Sequence, residues 1–297
     1  MTDNNHPHQF GQGSYLAMDT STSSVTLAIM ERGKLLGELN THADRNHSTQ
    51  LMPNIQNLLT SLGLRPRDLR AVAVGKGPGS YTGVRIGVTV AKTFAWSLGI
   101  DLVSVSSLEA MALGGRNAQS FAAPPGTQAS AGVFETAGAP GAALTRWYIP
   151  LMDARRGQAF TGLYEGRGDW TSESLFTEMS EQNSGEKWRS LLPDGIRLVE
   201  AWLQQLKELS VQSEMPDEIV FLGEIQSFEQ LLSAFSDQWS GRCRIMPHEL
   251  AARDLGLLAY PRLLRGEFEE VHAFVPNYTQ LPEAEVKLLA KAQRGEG

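Results

Sequence analysis

Short apolar runs separated by polar turns open the chain and predict β-strands. The runs occupy residues 15–20, 24–30 and 34–40, with three residues in each gap. Connections this short favour antiparallel hairpins. From residue 48 to residue 62 the apolar positions recur every three or four residues, which is the period of an amphipathic helix.

A strand, a helix and a further strand follow. Residues 71–75 form an apolar run, residues 82–98 have helical character and residues 100–105 form another apolar run. The predicted order is therefore βββαβαβ. Elements in this order bury their apolar faces most simply as a mixed sheet with helices on its faces.

The second half of the chain repeats this organisation. Residues 114–146 are rich in Gly, Ala, Ser and Pro and lack an apolar period, which predicts a flexible insertion. Beyond them, residues 147–166 match residues 15–33 in pattern, since each has a strand that ends in Met-Asp, a polar turn and a second strand. Asp19 and Asp153 hold equivalent positions, which indicates a duplicated, two-lobed architecture.

The remaining pattern completes the second lobe. It predicts helices at 197–209, 225–235 and 248–265, a strand at 218–223 and an irregular segment at 166–195. The predicted divisions are a disordered tail at 1–13, a first lobe at 14–113, the insertion at 114–146, a second, degenerate lobe at 147–281 and a tail at 282–297.

Composition and charge narrow the classes of function. With 297 residues and 41% apolar content, the chain can fill substantial cores. Its formal charge of −7 gives no general attraction for nucleic acid, so contact with RNA requires a local basic patch or a basic partner. Cys243 is the single cysteine, which excludes an internal disulfide framework. No membrane-spanning stretch or signal peptide is recognisable, and we expect a cytoplasmic protein.

The sequence GKGPGSYTG, residues 75–83, joins a predicted strand to a predicted helix. Free amides at a helix start can bind an anion, so the loop is a candidate phosphate site. It lacks the Lys-Ser or Lys-Thr of a P-loop and the acidic residue that follows a dinucleotide-binding loop. The alternative is a tight turn in which Gly and Pro supply special backbone angles and Ser80 or Thr82 caps the helix.

The helix after this loop has one face almost without side chains. Gly83, Gly87, Ala91 and Ala95 recur every four residues. Small residues in a row allow another element to approach very closely. Interior glycine costs about 1 kcal/mol relative to alanine, so close contact explains its presence. The contacting element is either the protein's own sheet or a second subunit.

Two polar turns are candidate sites for an anion or a metal. Asp19 begins the hydroxyl-rich sequence DTSTSS, but no glycine between residues 14 and 32 allows the backbone to wrap round a phosphate. Asp153 is followed by Arg155 and Arg156, which either clamp an anion or form a solvated turn with surface ion pairs.

Histidines and nucleophiles offer no recognisable catalytic set. His42, Asp44 and His47 form the only local group of potential metal ligands, and the residue four after His47 is Leu51 rather than histidine. No nucleophile elbow occurs. The pattern therefore predicts neither a catalytic residue nor a metal site.

Five stretches together resemble the TsaB family of bacterial accessory proteins for tRNA threonylcarbamoyladenosine biosynthesis. They are LAMDTST, RNHSTQLMPNI, AVAVGKGPGSYTGVRIGVTVAK, VSVSSLEAMA and LMDARRGQAF. The first lobe matches almost continuously from Tyr15 to Ala112, and GPGSYTGVRIG is the most specific part. The second lobe matches at the Asp153 turn and at FVPNYTQ, residues 274–280.

The resemblance implies a two-lobed, actin-like α/β fold of the ASKHA, ribonuclease H-like type, with mixed sheets and flanking helices. It also implies pairing with the paralogue TsaD through the first-lobe helices, with the ATPase TsaE joining the assembly. Carried onto this chain, the implied partner interface comprises Leu51, Ile55, Leu58, Gly83, Arg85, Gly87, Ala91 and Ala95. A vestigial nucleotide cleft would comprise Asp19, Thr20, Ser21, Asp153 and Arg155.

The resemblance, together with the lack of a recognisable catalytic set, implies a non-catalytic scaffold that needs no cofactor. It would support threonylcarbamoyl transfer by TsaD to the tRNA adenosine beside the anticodon, and would contact tRNA only indirectly. Without TsaD, an exposed small-residue face would favour a homodimer. The alternatives are an ATP-dependent kinase or ATPase of the same fold and a metallopeptidase.

Overall fold

Two five-stranded sheets with flanking helices make up the two lobes of the protein. The computed structural model describes residues 13–42, 47–121, 144–168, 187–212 and 214–277. Both sheets are mixed, which confirms the predicted two-lobed α/β class. The predicted tail at 282–297 and all of the tail at 1–13 except Gly13 lie outside the described residues.

The first sheet has the strand order β3-β2-β1-β4-β5. Its strands are β1 Ser14–Asp19, β2 Ser24–Glu31, β3 Lys34–His42, β4 Leu69–Gly75 and β5 Asp101–Val105. The first three strands pair antiparallel, whereas β4 and β5 run parallel to β1. Every residue of β1 is buried, as expected of a central strand covered on both faces.

Two helices cover one face of this sheet. They are α1 His47–Ser61 and α2 Tyr81–Leu98, and both agree with the predicted helices to within one residue. The hydroxyl of Ser80 accepts the Gly83 N–H at 3.3 Å and so caps the start of α2. Gly99 ends this helix with φ of 63°, a backbone angle that glycine adopts at little cost.

The second sheet repeats the topology of the first. Its order is β10-β9-β6-β7-β8, formed by β6 Thr145–Arg155, β7 Gln158–Arg167, β8 Trp188–Leu198, β9 Glu218–Gly223 and β10 Arg242–Pro247. Again three strands pair antiparallel and two run parallel to the first of them. The outer face of this sheet packs against α4 Val199–Gln212 and α5 Glu229–Gln238, which follows the 3₁₀ turn Ile225–Phe228.

Two further helices lie between the sheets, and each packs on the sheet of the other lobe rather than on the sheet that precedes it in sequence. Helix α3, Ser107–Phe121, follows the first sheet in sequence but packs on β6, β7 and β9. Helix α6, Ala252–Arg265, follows the second sheet but packs on β1 and β2 of the first. A Cβ atom on Gly256 would lie 2.8 Å from Met30 Cγ, and one on Gly115 would lie 2.8 Å from Leu222 Cδ1. A side chain at either position would require Met30 or Leu222 to shift.

Several predicted boundaries are wrong. The insertion was predicted to begin at residue 114 and end at 146, but α3 continues to Phe121 and β6 begins at Thr145. Gly114 and Gly115 are helix-packing positions, so their composition does not mark a linker. Residues 122–143 of the predicted insertion lie outside the described part of the chain.

The second lobe differs from its prediction in a similar way. The segment predicted as irregular at 166–195 includes the end of β7 and most of the edge strand β8, where Pro193 is tolerated. Strand β10 was missed, and α6 belongs by its packing to the first sheet rather than to a second lobe at 147–281. Among the helices that the structure describes, none combines the length and the apolar content needed to cross a membrane.

A buried polar cluster lies where α3 meets α6. Asp254 Oδ1 accepts a hydrogen bond from Asn117 Nδ2 at 2.8 Å, whereas Oδ2 has no hydrogen-bond partner among the described atoms. Arg253 Nε lies 3.7 Å from Oδ2. Burial raises the pKa of Asp254 from 3.8 to about 6, although the bond from Asn117 and the charge of Arg253 oppose that rise.

The substitution Asp254→Asn tests this burial. Because the pKa is higher in the folded state, the stabilisation from Asp254 is fully present below the unfolded-state pKa and is lost as the pH rises through about 6. The variant should therefore gain free energy of unfolding over the native protein between pH 4 and pH 7, by up to about 3 kcal/mol. Urea denaturation across that range measures the difference. Asp237→Asn, an exposed change on α5, is the control, and an equal pH dependence in both variants would contradict the assignment.

Candidate functional site

Asp19, at the end of β1, is a buried carboxylate whose bonds all remain inside the first lobe. Oδ1 accepts the Ser21 N–H at 2.6 Å, and Oδ2 accepts the Ser107 hydroxyl at 2.5 Å. A Cβ atom on Gly75 would overlap Oδ2, so the carboxylate packs directly on the backbone of β4. Burial raises the pKa of Asp19, while the bonds from Ser107 and Ser21 oppose that rise.

The turn after Asp19 rests on the start of α2. The Thr20 hydroxyl donates to the Gly83 carbonyl at 2.7 Å, and Cβ atoms on Gly83 and Gly87 would overlap atoms of Thr20. The Ser80 N–H donates to the Ser21 carbonyl at 2.7 Å. Of the two interpretations of the glycine-rich loop, this geometry fits the tight turn, because its glycines make room for the β1–β2 turn.

The predicted partner interface is therefore mostly buried within the chain. Seven of its eight residues, Leu51, Ile55, Leu58, Gly83, Gly87, Ala91 and Ala95, are buried, and only Arg85 is exposed. The apolar stripes of α1 and α2 face their own sheet, as amphipathic helices of a globular protein do. The prediction that these seven positions form an exposed surface is wrong for this chain.

Asp153 and Arg155 lie in a different environment from Asp19. The Asp153 carboxylate accepts the Arg155 N–H at 2.7 Å and the Ser227 hydroxyl at 2.8 Å, and the Asp153 N–H donates to Glu224 at 2.7 Å. Asp153 is exposed and shares none of these partners with Asp19. Arg155 and Arg156 have φ of 67° and 54° in the hairpin turn between β6 and β7. The hydrogen bonds described for Asp153 therefore fix its own turn and do not link it to Asp19.

Direct hydrogen bonds cross between the lobes near the start of α3. The Ser106 hydroxyl donates to Asp194 Oδ2 at 2.5 Å, and the Tyr164 hydroxyl donates to Asp194 Oδ1. Burial raises the pKa of Tyr164 well above its ordinary value, and the neighbouring Asp194 and Glu109 charges add to the rise. Both oxygens of the Asp194 carboxylate are therefore hydrogen-bonded, one to Ser106 and one to Tyr164.

Glu109 adds a second set of contacts at the same place. It accepts the Trp188 indole N–H at 3.3 Å, and Arg262 Nη2 lies 3.5 Å from its other oxygen. Burial raises the pKa of Glu109, although the positive charge of Arg262 opposes this. These contacts join α3, β8 and α6, and they hold the two lobes against each other.

The histidine group provides no metal centre among the described residues. His42 Nδ1 lies 3.1 Å from the Ser24 hydroxyl, and His42 Nε2 lies 3.6 Å from Glu249. Asp44 and the His47 side chain lie outside the described residues. The described part of the chain contains no group of three or more His, Cys, Asp or Glu side chains placed to hold a metal ion.

The outer faces of α1 and α2 form an exposed surface, whereas the sequence analysis considered the small-residue stripe of α2. Trp96 is 67% exposed, and Met52 and Tyr81 are also exposed. A groove of about 470 Å³ separates the helices and is lined by Met52, Pro66, Val90, Thr93, Phe94, Ser97 and Leu98. A tryptophan outside the core-facing stripe was the sequence signal for this surface.

Comparison with known proteins agrees with the resemblance in the first lobe. The family model described as TsaD, tRNA N6-adenosine threonylcarbamoyltransferase, matches residues 37–133. The tRNA threonylcarbamoyladenosine biosynthesis protein TsaB of Escherichia coli K12 is 37% identical over 102 residues, which cover 33% of this chain and 42% of that protein.

Longer matches extend over both lobes. A crystal structure from Pseudomonas aeruginosa, described as an uncharacterized protein with similarity to peptidase YEAZ, has a TM-score of 0.60 at 22% identity and covers 90% of this chain and 100% of that one. The tRNA threonylcarbamoyladenosine biosynthesis protein TsaB of Bacillus subtilis 168 is 33% identical over 273 residues, which are 92% of this chain and 96% of that protein. Since that identity extends over nearly the whole of both sequences, the chain belongs to the TsaB family of tRNA threonylcarbamoyladenosine biosynthesis proteins.

Proposed function

We propose that this chain is a non-catalytic cytoplasmic subunit that pairs with TsaD. In that role it supports threonylcarbamoyl transfer to the tRNA adenosine beside the anticodon. The observation that carries the proposal is the exposed, nearly uncharged surface on the outer faces of α1 and α2. Family membership supports the pathway, and this surface is where we propose that the partner binds.

The chemistry of this surface matches the centre of a protein interface. Helix α1 contains no Asp, Glu, Lys or Arg, and Arg85 and Lys92 are the charged residues of α2. Lys92 Nζ donates to the carbonyls of His272 and Phe274, so it is occupied by the chain's own C-terminal segment. Interface cores are depleted of charge and enriched in aromatic residues, Met and Arg.

Arg85 and Tyr81 form a preorganised pair on this surface. The Arg85 guanidinium lies 5.3 Å from the Tyr81 ring centroid and donates to the Tyr81 hydroxyl at 2.9 Å. Together with Trp96, these residues are of the types that dominate binding energy at interfaces. Arg85 is the one exposed member of the predicted interface, and we include it in the proposed surface.

A second copy of the chain would cover the same surface when TsaD is absent. A two-fold pairing places one patch against itself, and a patch with few charged residues meets little like-charge repulsion in doing so. A larger assembly with the TsaE ATPase is proposed on family likeness alone.

We infer the absence of a catalytic role from the hydrogen bonds of the carboxylates Asp19 and Asp194. Asp19 is fixed by Ser21 and Ser107 and packs on Gly75. Asp194 is occupied by Ser106 and Tyr164. An ATP-dependent kinase or a metallopeptidase would need such groups to face its substrate or metal.

The exposed surface is tested with Met52→Glu and Trp96→Glu. A charge buried without a partner at an interface is costly, so we expect at least about 2 kcal/mol, or thirtyfold, weaker association with TsaD from the same genome. Sedimentation velocity and co-purification measure this for TsaD and for the homodimer. Leu231→Glu, which charges an exposed apolar residue on α5, is the matched control. Native association of Trp96→Glu would place the interface elsewhere.

A substitution in the buried stripe of α2 should affect the stability of the fold rather than association with TsaD. Gly87→Val would drive a side chain into Thr20, and we expect a loss of about 1–3 kcal/mol in the free energy of unfolding. Arg85→Ala, on the exposed side of the same helix, should weaken association with little change in stability. Thermal and urea denaturation separate the two effects. A stable Gly87→Val protein that fails to pair would return the interface to the small-residue stripe.

Calorimetry with Mg-ATP tests the non-catalytic assignment. Because the Asp19 carboxylate is already bonded and packed, we expect no saturable binding at micromolar concentrations. Micromolar binding that Asp19→Ala abolishes, or threonylcarbamoyl transfer by the chain alone, would overturn the assignment.

A further inference from the structure

The last described residues of the chain pass over the edge strand β5 and along the side of α2. We call this segment, residues 269–277, the strap. The Glu269 N–H donates to the Leu102 carbonyl at 2.8 Å, and the Asn277 N–H donates to the Lys76 carbonyl at 2.8 Å. The strap is therefore fixed at one end to β5 and at the other end to the residue that follows β4.

The middle of the strap is held by α2 and by a turn of its own. Lys92 Nζ donates to the carbonyls of His272 at 3.2 Å and Phe274 at 2.7 Å. The Phe274 N–H donates to the Glu270 carbonyl at 2.8 Å, which closes the turn. The Phe274 side chain is 7% exposed and belongs to the core cluster that contains the buried face of α2. Because the strap is already ordered, binding a partner there costs little further conformational entropy.

The other side of the strap faces solvent. Val275 is 69% exposed, and His272 and Ala273 are also exposed. Val275 is thus an apolar side chain that the fold leaves uncovered, on a backbone that hydrogen bonds hold in place. A single exposed apolar residue is ordinary on a protein surface, so its neighbours decide whether it has a role.

Those neighbours belong to the surface proposed for TsaD. Trp96 follows Lys92 by four residues, so the two side chains lie on the same side of α2. Lys92 Nζ contacts the strap at the carbonyl of Phe274, the residue before Val275. The strap therefore borders the part of α2 that presents Trp96, and the two exposed surfaces are continuous.

We propose that the strap is part of the surface that binds TsaD, with Val275 in contact with the partner and Lys92 as the residue that positions the strap. The proposal rests on the proposed function, which supplies TsaD as the partner, and it extends the partner surface beyond α1 and α2. An apolar side chain on an ordered backbone is a favourable contact, because it leaves water without the entropic cost of fixing a loop.

Val275→Glu in the full chain tests the contact. The new carboxylate would be buried without a partner on association, so we expect binding to TsaD from the same genome to weaken by about tenfold or more in sedimentation velocity. Because Val275 is exposed, thermal denaturation of the variant should match that of the native chain. Val211→Glu charges an 85% exposed valine near the end of α4, and this matched control should associate as the native chain does.

Lys92→Met tests the positioning role. This change keeps an unbranched side chain but removes the donor to the His272 and Phe274 carbonyls, so the strap should exchange its amide hydrogens faster and TsaD should bind more weakly. Hydrogen exchange measured by mass spectrometry follows the strap, with β1 as the internal reference. Lys92→Arg restores a donor and should recover much of the association. Faster exchange in the strap with native affinity for TsaD would overturn the role of Lys92.

The outcomes separate this proposal from the proposed function. Native association of Val275→Glu together with weakened association of Trp96→Glu would overturn the strap contact and leave the helix surface in place. An equal loss in Val211→Glu, or a loss of the homodimer alone, would also overturn the strap contact. Weakened association of Val275→Glu with native association of Trp96→Glu would support the strap and contradict the helix surface. A native chain that does not associate with TsaD would overturn both.

Discussion

The exchange of α3 and α6 between the lobes is the constraint on which the rest of the structure depends. Each helix leaves one sheet in sequence and packs on the other, and the two helices also contact each other. Gly256 packs against Met30 and Gly115 against Leu222, so closely that a side chain at either glycine would require its neighbour to shift. Both lobes therefore share one core, and neither can move far without breaking it.

This shared core explains why polar side chains of the two lobes form hydrogen bonds with one another. With the lobes held together, Asp194 of β8 reaches Ser106, and Trp188 reaches Glu109 at the start of α3. Buried polar groups need partners, and here the opposite lobe supplies them. The exposed apolar side chains of Trp96 and Met52 lie instead on the outer faces of α2 and α1.

The sequence predicted the elements of the first lobe closely, because strict apolar periods set them. It could not say what the stripe of Gly83, Gly87, Ala91 and Ala95 contacts, since small residues favour close approach by any neighbour. Gly114 and Gly115 were misread for the same reason. Strand β10 was missed because its residues are mostly half-buried or exposed, and such edge strands lack a continuous apolar run.

The net charge of the chain likewise does not show where the charged residues lie in the fold. The chain is acidic overall, yet α1 carries no Asp, Glu, Lys or Arg, and one end of the second sheet holds four arginines paired with Glu165, Glu214 and Glu218. These differences arise only on folding, because β-pairing aligns residues that are up to about a hundred positions apart. A face with few charged residues suits the protein partner proposed for α1 and α2. The fold therefore sorts charged and uncharged residues onto different surfaces, a distribution that composition alone does not show.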